Sequence, residues 1–319
     1  MRRSLVLGVA LLALVLAGAA AAGNGGVAPP DSASPNAQSI RDIYWLILGV
    51  TGGIFVLVEC TLILFVIRYR SRGRPREVEG SQVRGHTNLE LAWTAGPVLI
   101  LAVIAGFVFY KVSGTHGARA AAVEQIRIEG HQYYWQFIYR NRAIAIDHLR
   151  LPYNRAVRLE ITGEDVNHSW WVPALGGKID AIPGKQNHIS FRATKLGTFR
   201  GQCAEFCGIQ HAAMMAQVEV LPQNEYDAWV QERRSSTVDL GKETFVGVCA
   251  KCHGLAAQGD IGPPIAQSPL LSDRTGLTRL LRQGVGTMPA VGKTWNEAQL
   301  SALMEYLQKR FKQGGASGG

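Results

Sequence analysis

The stretch CAEFCGIQHAAM, residues 203–214, decides the fold of the region around it. It places Cys203 and Cys207 four residues apart and follows them with His211 and Met214. This is neither the two-residue cysteine spacing of a zinc knuckle nor that of a redox dithiol. Thiolate and thioether are soft ligands and imidazole suits copper, so the set favours copper over calcium, magnesium or manganese.

Two thiolates can bridge two copper ions if each ion is completed by one histidine and one weak ligand, and this arrangement requires a second histidine. His168, in GEDVNHSWWVP, follows a predicted strand and is the candidate. Zinc is the main rival because Cys2His2 is a common zinc set, although the additional Met214 and the β-rich surroundings argue against it. A disulfide beside an unrelated histidine and methionine is the other alternative.

The surroundings of this stretch have the pattern of a β domain. In RAVRLEIT, Val157, Leu159 and Ile161 alternate with polar residues, which is the period of a half-buried strand. Turn signals recur between such segments, and no helical pattern interrupts residues 125–221. Many short strands without helices predict a sandwich or barrel.

A second motif, CAKCH at residues 249–253, has the Cys-x-x-Cys-His spacing of a c-type haem attachment site. Cys249 and Cys252 would form the thioethers, and His253 would be an axial ligand of the iron. A methionine as the second axial ligand raises the potential. Met288, in the Gly/Pro loop VGTMPAV, is preferred to Met304, which lies on a predicted helix and is expected to face its core.

The pattern after Pro222 is helical. A short helix is expected over 224–234, a linker over 233–237 and a helical domain over 238–312, and the tail 313–319 is expected to be flexible. Near the other end of the chain, residues 33–37 are predicted to be loosely ordered.

Two apolar runs, about 43–67 and 91–110, reach the length of about 20 residues that a bilayer requires. The loop between them carries Arg68, Arg70, Arg72, Arg74, Arg76 and Arg84. Positive loops stay in the cytoplasm, so everything after about Val112 is expected outside, on the periplasmic side of a bacterial inner membrane. Residues 1–22, with a basic start and a short apolar run, predict a secretory signal rather than a third membrane helix.

The net charge of +9 does not indicate a nucleic-acid partner, because much of it lies in this loop and the outer part has no basic stripe with interleaved aromatics. Cys60, within the first apolar run, is interpreted as a small buried apolar residue. Glu59 beside it is expected to face protein, since a charge is costly in lipid.

Over about residues 40–222 the chain resembles subunit II of cytochrome c oxidases. Three stretches carry the resemblance: CAEFCGIQHAAM, GEDVNHSWWVPALGGKIDAIPG and LELAWTAGP. The resemblance implies a two-helix transmembrane hairpin at 40–111 and an all-β cupredoxin-like barrel with a dinuclear copper A centre at 112–232. It implies that Cys203 and Cys207 bridge both coppers and that His168 and His211 bind one each. Met214 and the Glu205 carbonyl would be the axial ligands, with the Glu205 side chain at a magnesium site beside subunit I.

The same resemblance gives roles to an aromatic run and to one glutamate. Tyr133 and Trp135 in GHQYYWQF would lie where electrons enter, although the family usually has Trp where this chain has Tyr133; Tyr134 is expected in the barrel core. Glu90 would lie near the mouth of a proton path in subunit I, or be an ordinary interfacial charge.

Residues 238–312 resemble a class I cytochrome c, which implies an all-α domain with covalent haem c. In that family the carbonyl of the proline at position 263 holds the axial histidine through its ring N–H. Gly241 and Tyr306 are expected to meet where the first and last helices cross.

Together the resemblances imply a multidomain membrane protein, subunit II of a haem-copper oxidase with a fused cytochrome c. It would relay electrons from an external donor (soluble cytochrome c or a quinol-oxidising complex) through haem c and copper A to subunit I, for oxygen reduction coupled to proton translocation. Subunits I and III would be its partners. Both centres are fully ligated, so this chain would hold no oxygen-reducing site.

Two alternatives remain: the copper A subunit of a nitric oxide reductase, and a stand-alone membrane-anchored electron carrier. Glu90 and Glu205 argue against the carrier, because the roles implied for them require a partner subunit. A quinol oxidase is excluded if the copper ligands function, since its subunit II lacks them.

Overall fold

The structure is a computed structural model and describes residues 28–70, 82–115, 124–140, 142–235 and 238–312. The expected signal segment 1–22, the tail 313–319 and three loop arginines (Arg72, Arg74 and Arg76) lie outside these residues. The chain divides into two compact units. One contains residues 38–115, and the other contains residues 30–37 together with everything after 115.

The first unit is a pair of long helices, α1 (Pro35–Tyr69) and α2 (Thr87–Thr115). Asp42 of α1 and Lys111 of α2 form an ion pair at 2.7 Å. Both helices are long and apolar enough to cross a membrane, by length and composition. They extend beyond the predicted apolar runs because their polar end turns are helical too.

Residues 33–37 are packed against the β domain, so the prediction that they are loosely ordered is wrong. The Ala33 amide donates to the carbonyl of Ala174 at 2.7 Å, and the Ala33 carbonyl accepts from the Thr194 amide at 2.7 Å. The Ser34 hydroxyl donates to the carbonyl of Leu175 at 2.6 Å. These backbone partners lie far along the chain, and therefore no local signal reports them.

The second unit begins with a β-sandwich of two five-stranded sheets. The strands are β1 (Glu124–His131), β2 (Tyr134–Tyr139), β3 (Ile144–Ile146), β4 (His148–Pro152), β5 (Ala156–Gly163), β6 (His168–Trp171), β7 (Ile179–Ala181), β8 (Asn187–Arg192), β9 (Gly197–Cys203) and β10 (Met215–Leu221). One sheet has the order β3-β2-β1-β5-β8, and the other has the order β4-β10-β9-β6-β7.

The alternation read in β5 is confirmed, because Val157, Leu159 and Ile161 are buried and the residues between them are partly exposed. These side chains join Trp135 and Phe137 in the core between the sheets. Two apolar helices, a β-sheet domain and a helical region after it confirm the predicted fold class.

The helices after the sandwich are α3 (Gln223–Ser235), α4 (Val238–Thr244), α5 (Ala250–His253), α6 (Arg274–Gln283) and α7 (Glu297–Leu307). A turn of π-helix, Phe245–Cys249, joins α4 to α5. Gly241 of α4 lies so close to α7 that a β-carbon there would collide with the Ala302 carbonyl and touch Tyr306. The predicted meeting of Gly241 and Tyr306 is thus confirmed. We call residues 238–312 the helical domain.

The linker prediction fails over 233–235, because α3 continues through Ser235 and Arg233 is buried. The Arg233 Nε donates to the carbonyl of Ile144 at 2.9 Å, and its guanidinium pairs with Glu243 of α4. Residues 236–237 lie outside the described residues. The run RRSST is polar throughout and therefore has the composition of a linker; only the distant partners of Arg233 show that this residue is part of the packed structure.

Tyr134 is fully buried, but it does not lie in the core of the sandwich as predicted. It packs in the apolar cluster of the helical domain, together with Ile144 and Ile146 of β3 and with Phe245 and Leu303. Successive residues of a strand point to opposite faces. Trp135 accordingly faces the sandwich core while Tyr134 faces outward, towards the helices.

Candidate metal and haem sites

Pairing between two neighbouring strands brings the first histidine to the cysteines. In the antiparallel pair β6–β9, Trp170 lies opposite Cys203, and His168 begins β6. Gly130 of β1 lies against the His168 ring, where a β-carbon would come within 2.9 Å of the ring carbon Cδ2. The approach of β1 to the histidine therefore requires glycine at position 130.

The two cysteine sulfurs lie 4.0 Å apart, and both are buried. Cys203 Sγ is 3.9 Å from His168 Nδ1, and Cys207 Sγ is 3.6 Å from His211 Nδ1. Met214 Sδ is 3.8 Å from Cys207 Sγ, and the Glu205 carbonyl oxygen is 3.1 Å from Cys203 Sγ. Each cysteine thus has its own histidine and its own weak donor.

These separations fit metal ions between the donors. Metal–nitrogen and metal–sulfur bonds of about 2.1 and 2.3 Å allow a nitrogen and a sulfur on one ion to lie up to about 4.4 Å apart. Both measured sulfur–nitrogen pairs fall within that limit. The ligand atoms of His168, Cys203 and Cys207 all lie within 4.8 Å of one another. The soft donors suit copper.

The other ring nitrogen of His168 is also held. Its Nε2 lies 2.8 Å from Asp165 Oδ1, which leaves Nδ1 for the sulfur side. Burial opposes ionisation of His168, but the Asp165 carboxylate and the Cys203 sulfur together outweigh burial and raise the pKa of the ring. A carboxylate in this position fixes the orientation of a metal-binding histidine.

The two thiols share protons unequally while no metal holds them. Contact with the Cys207 thiol lowers the pKa of Cys203 despite its burial. The pKa of Cys207 is raised because the Cys203 thiolate is adjacent and the group is buried. A metal must displace the remaining proton, so binding is expected to release it.

The 3₁₀ turn His211–Ala213 between β9 and β10 holds the second half of the site. Met214 is fully buried beneath it. The side chains of Glu205, Phe206 and Ile209 remain exposed at the tip of the loop. Glu205 therefore turns its carbonyl to Cys203 and its carboxylate outward.

The aromatic run divides between two environments. Trp135 is fully buried and meets the rings of His168 and Trp170 edge to face, at 5.9 and 5.1 Å. Tyr133 is partly buried, and its hydroxyl lies beside Gly208 in the cysteine loop. Burial raises the pKa of Tyr133.

The CAKCH motif lies on the wall of a cavity of about 360 Å³ in the helical domain. Cys249, Cys252, His253 and Pro263 all line it. His253 Nδ1 lies 2.7 Å from the Pro263 carbonyl oxygen, which confirms the expected contact. A carbonyl can only accept a hydrogen bond, so Nδ1 carries the proton and Nε2 is free to bind iron.

Met288 also lines this cavity, whereas Met304 does not. Met304 is buried on α7 among apolar neighbours, as expected from its helical position. Met288 lies in a loop closed by hydrogen bonds between Val285 and Met288. The cavity is apolar and is lined by two cysteines, a histidine with a free ring nitrogen and a methionine. This set fits a covalently attached haem.

The two membrane-helix glutamates have different surroundings within the helical pair. Glu90, in the first turn of α2, accepts a hydrogen bond from the His86 amide at 3.1 Å, so it caps its own helix. Glu59 is exposed on α1, and the structure shows no partner for it among the described residues.

Sequence reasoning missed three residues at these sites: Asp165, Gln132 and Lys251. Asp165 lies three residues before His168 in GEDVNH, a spacing that could have suggested it. The Gln132 side chain donates to the Cys207 carbonyl at 2.7 Å. The Lys251 ammonium donates to the Tyr133 carbonyl at 2.8 Å and pairs with Asp147 at 2.6 Å. Only tertiary contacts reveal the last two.

Three family descriptions match successive parts of the chain. Residues 22–110 match "cytochrome c oxidase subunit II, transmembrane domain", and residues 139–221 match "cytochrome c oxidase subunit II, periplasmic domain". Residues 236–307 match "cytochrome c oxidase, cbb3-type, subunit III". The last match covers residues 238–307 of the helical domain.

Individual proteins are similar over most of the chain. Cytochrome c oxidase subunit 2 of Alkalihalophilus pseudofirmus is 33% identical over 248 residues, which are 73% of this chain and 72% of that protein. The protein of the same name from Cereibacter sphaeroides is 29% identical over 68% of this chain and 83% of its own length. A crystal structure of the periplasmic domain of subunit II of cytochrome oxidase from Bradyrhizobium japonicum is 34% identical, with a TM-score of 0.34, over 36% of this chain and 95% of that one.

Proposed function

The chain belongs to the cytochrome c oxidase subunit II family and carries a cytochrome c domain, and we propose that it relays electrons from an external donor through haem c to a dinuclear copper centre and on to subunit I. It is part of a haem-copper oxidase, an oxidoreductase complex. The arrangement that carries the proposal is the sulfur pair at 4.0 Å with one histidine nitrogen on each sulfur.

At the copper centre, Cys203, Cys207, His168 and His211 would hold the ions. Met214 and the Glu205 carbonyl would supply further, weaker donors. Copper bound in this way takes up and gives up single electrons. The protein holds the donors on β6, β9 and the turn before β10, so they keep their positions when the charge changes.

At the haem site, Cys249 and Cys252 would hold the group covalently, and His253 and Met288 would bind its iron. Bound haem c likewise supplies one-electron transfer. Pro263 keeps the proton of His253 on Nδ1. The apolar cavity wall limits water at the group, which is one of the means by which a protein sets a haem potential.

The remaining roles concern the complex. We propose that the two helices cross the bacterial inner membrane once each and that the β-sandwich and the helical domain lie on the periplasmic side. The exposed carboxylate of Glu205 would bind magnesium against subunit I, and Glu90 would lie at the mouth of a proton path there. Subunit III completes the set of expected partners. Tyr133 and Trp135 would lie on the route by which electrons reach copper.

The intact membrane complex tests this function. We would purify it through a tag after Gly319 and compare its consumption of oxygen and nitric oxide from one reduced donor. Oxygen uptake that is lost in Cys207→Ser and retained in Cys60→Ser is expected. Cys60 is the matched control because it is a free cysteine on α1, in the other unit, and is exposed there rather than buried as the sequence predicted.

Neither alternative is favoured, because the relatives named above are oxidase subunits. Turnover of nitric oxide alone would still assign the complex to the reductase class. Purification without a haem-bearing partner subunit and without turnover would leave only the electron carrier.

A further inference from the structure

We infer that the helical domain is fixed on the β-sandwich rather than moving on a tether, and that the Lys251–Asp147 ion pair positions the haem cavity against the Gln132–Tyr133 edge of the cysteine loop. The inference rests on the proposed function, since it concerns the transfer of electrons between the two centres. It also identifies Lys251 as a positioning residue.

Apolar packing is the first support. Tyr134, Ile144 and Ile146 belong to the sandwich by sequence, but they are buried in one cluster with Phe245 and Leu303 of the helical domain. Each exposes less than a tenth of its surface. Movement of the helical domain away from the sandwich would expose all three to water, which is unfavourable in proportion to their apolar area.

Buried hydrogen bonds are the second support, because they fix the orientation. The Tyr134 hydroxyl donates to the Val291 carbonyl at 2.7 Å and accepts from Trp295 Nε1 at 2.9 Å. Gln299 Nε2 donates to Gln136 Oε1 at 2.9 Å, and both amides are fully buried. Buried polar groups need partners, so a rotated docking would leave these groups unpaired.

The ion pair lies at the haem attachment turn itself. Lys251 stands between Cys249 and Cys252, and its ammonium pairs with Asp147 while it also donates to the Tyr133 carbonyl. Both side chains are at most about 15% exposed, so salt screens the pair little. Asp147 Oδ1 accepts from the Trp135 amide at 2.8 Å, which holds the carboxylate on the sandwich.

In this docking, the Gln132–Tyr133 edge lies between the haem cavity and the cysteine loop of the copper site. Gln132, Tyr133 and Ile209 of the sandwich line the same cavity as His253 and Met288. Gln132 in turn bonds the carbonyl of Cys207 at 2.7 Å. Tyr133 thus faces the haem cavity, and an external donor meets the helical domain instead of this edge.

Flash reduction of the haem in the intact complex tests the fixed docking. In the step measured, haem iron is oxidised from Fe(II) to Fe(III) while the copper pair gains one electron, and no bond or proton is exchanged. We expect a transfer rate that is unchanged by added viscogen and by ionic strength. A rate that falls as viscosity rises would mean that the domain must diffuse to its partner, and would overturn the inference.

Substitutions test the positioning pair. Lys251→Met and Asp147→Asn each leave an unpaired buried charge at the boundary, and we expect each to slow the transfer about tenfold, which corresponds to about 1.4 kcal/mol. The double variant removes both charges and should recover part of the rate. Lys242→Met is the control, because Lys242 is an exposed lysine of the same domain.

Haem and copper content are measured in every variant, and so is the haem potential, because Lys251 lines the haem cavity and the transfer rate is compared at equal driving force. If both single variants transfer electrons at the unaltered rate with both centres loaded, Lys251 has no positioning role. Asp147→Asn keeps the experiment decisive even if Lys251→Met impairs haem attachment. Failure of the proposed function would look different, because the unaltered complex would then lack a centre or would consume no oxygen.

Discussion

Asp165 and His168 form one functional pair, since the carboxylate holds His168 Nε2 at 2.8 Å while Nδ1 of the same ring lies 3.9 Å from the Cys203 sulfur. The Asp165 carboxylate also accepts from the Gln132 amide at 2.6 Å. One partly exposed aspartate thus orients a metal-binding ring and holds the backbone of Gln132, whose side chain donates to the Cys207 carbonyl. Asp165 therefore fixes both the His168 ring at the copper site and the Gln132 backbone beside the haem cavity.

Asp165→Asn should weaken copper binding without removing a ligand. Partners of this kind typically change metal affinity by about 10- to 100-fold. The measurement is copper retained by the purified complex against a graded series of chelator concentrations. Glu164→Gln is the control, because Glu164 is the neighbouring carboxylate and pairs with Arg127 instead of a ligand. Equal copper retention in the two variants would contradict the role given to Asp165.

The variants Met288→Ala and Met304→Ala should show which methionine binds the haem iron and which one only packs in the core. Loss of Met288 should abolish the methionine–iron absorption band and lower the haem potential, because the thioether favours the reduced iron. Loss of Met304 should leave the band in place and lower the stability of the helical domain by about 2–5 kcal/mol. Optical spectra and thermal unfolding of the complex give both readouts. A lost band in Met304→Ala alone would reverse the assignment.

The sequence could predict contacts between residues that lie only a few positions apart in the chain. Cys203 to Met214 and Cys249 to His253 lie within single loops or turns, so ligand chemistry alone groups them. The alternation in β5 follows equally directly from a strand with one face in the core. His168 could be named as a candidate from its place after a predicted strand, but only the pairing of β6 with β9 shows that it lies beside Cys203.

The docking of the two domains could not be predicted, because its contacts are formed between residues far apart in the chain. Tyr134 reads as a core residue in either environment, and only the pleat of β2 decides that it faces the helices. Arg233 and Lys251 read as solvated charges until Glu243 and Asp147 are found opposite them. Such pairs are specified jointly by two elements that have no common local pattern.

Tyr134→Phe should weaken the contact between the domains while leaving both metal centres intact. The substitution removes the hydroxyl that bonds Val291 and Trp295, and the buried partners left unpaired cost about 1–3 kcal/mol. We expect a lower unfolding temperature in calorimetry of the complex. Tyr153→Phe is the control, because that tyrosine is exposed. Identical unfolding temperatures in the two variants would show that the hydroxyl contributes nothing.

Glu129→Gln should remove part of the acid sensitivity of the fold. Glu129 is buried, and burial alone would raise its pKa, but the His131 ring 3.5 Å away, the charge of Arg127 and a hydrogen bond from Gln136 outweigh burial and hold the pKa below its ordinary value. A lowered pKa stabilises the folded state above the pKa of the unfolded chain, about 4.3, and this stabilisation is lost as the pH falls towards the folded value.

The stability of the unaltered complex should therefore fall more steeply than that of Glu129→Gln as the pH is lowered below about 5, by at most about 1.4 kcal/mol for each pH unit, and its unfolding temperature should fall with it. Glu305→Gln, at an exposed position on α7, should keep the steep dependence. Because acid also protonates the copper ligands, only the difference between the two variants reports on Glu129. Parallel curves for all three proteins would show that Glu129 titrates alike in the folded and unfolded states.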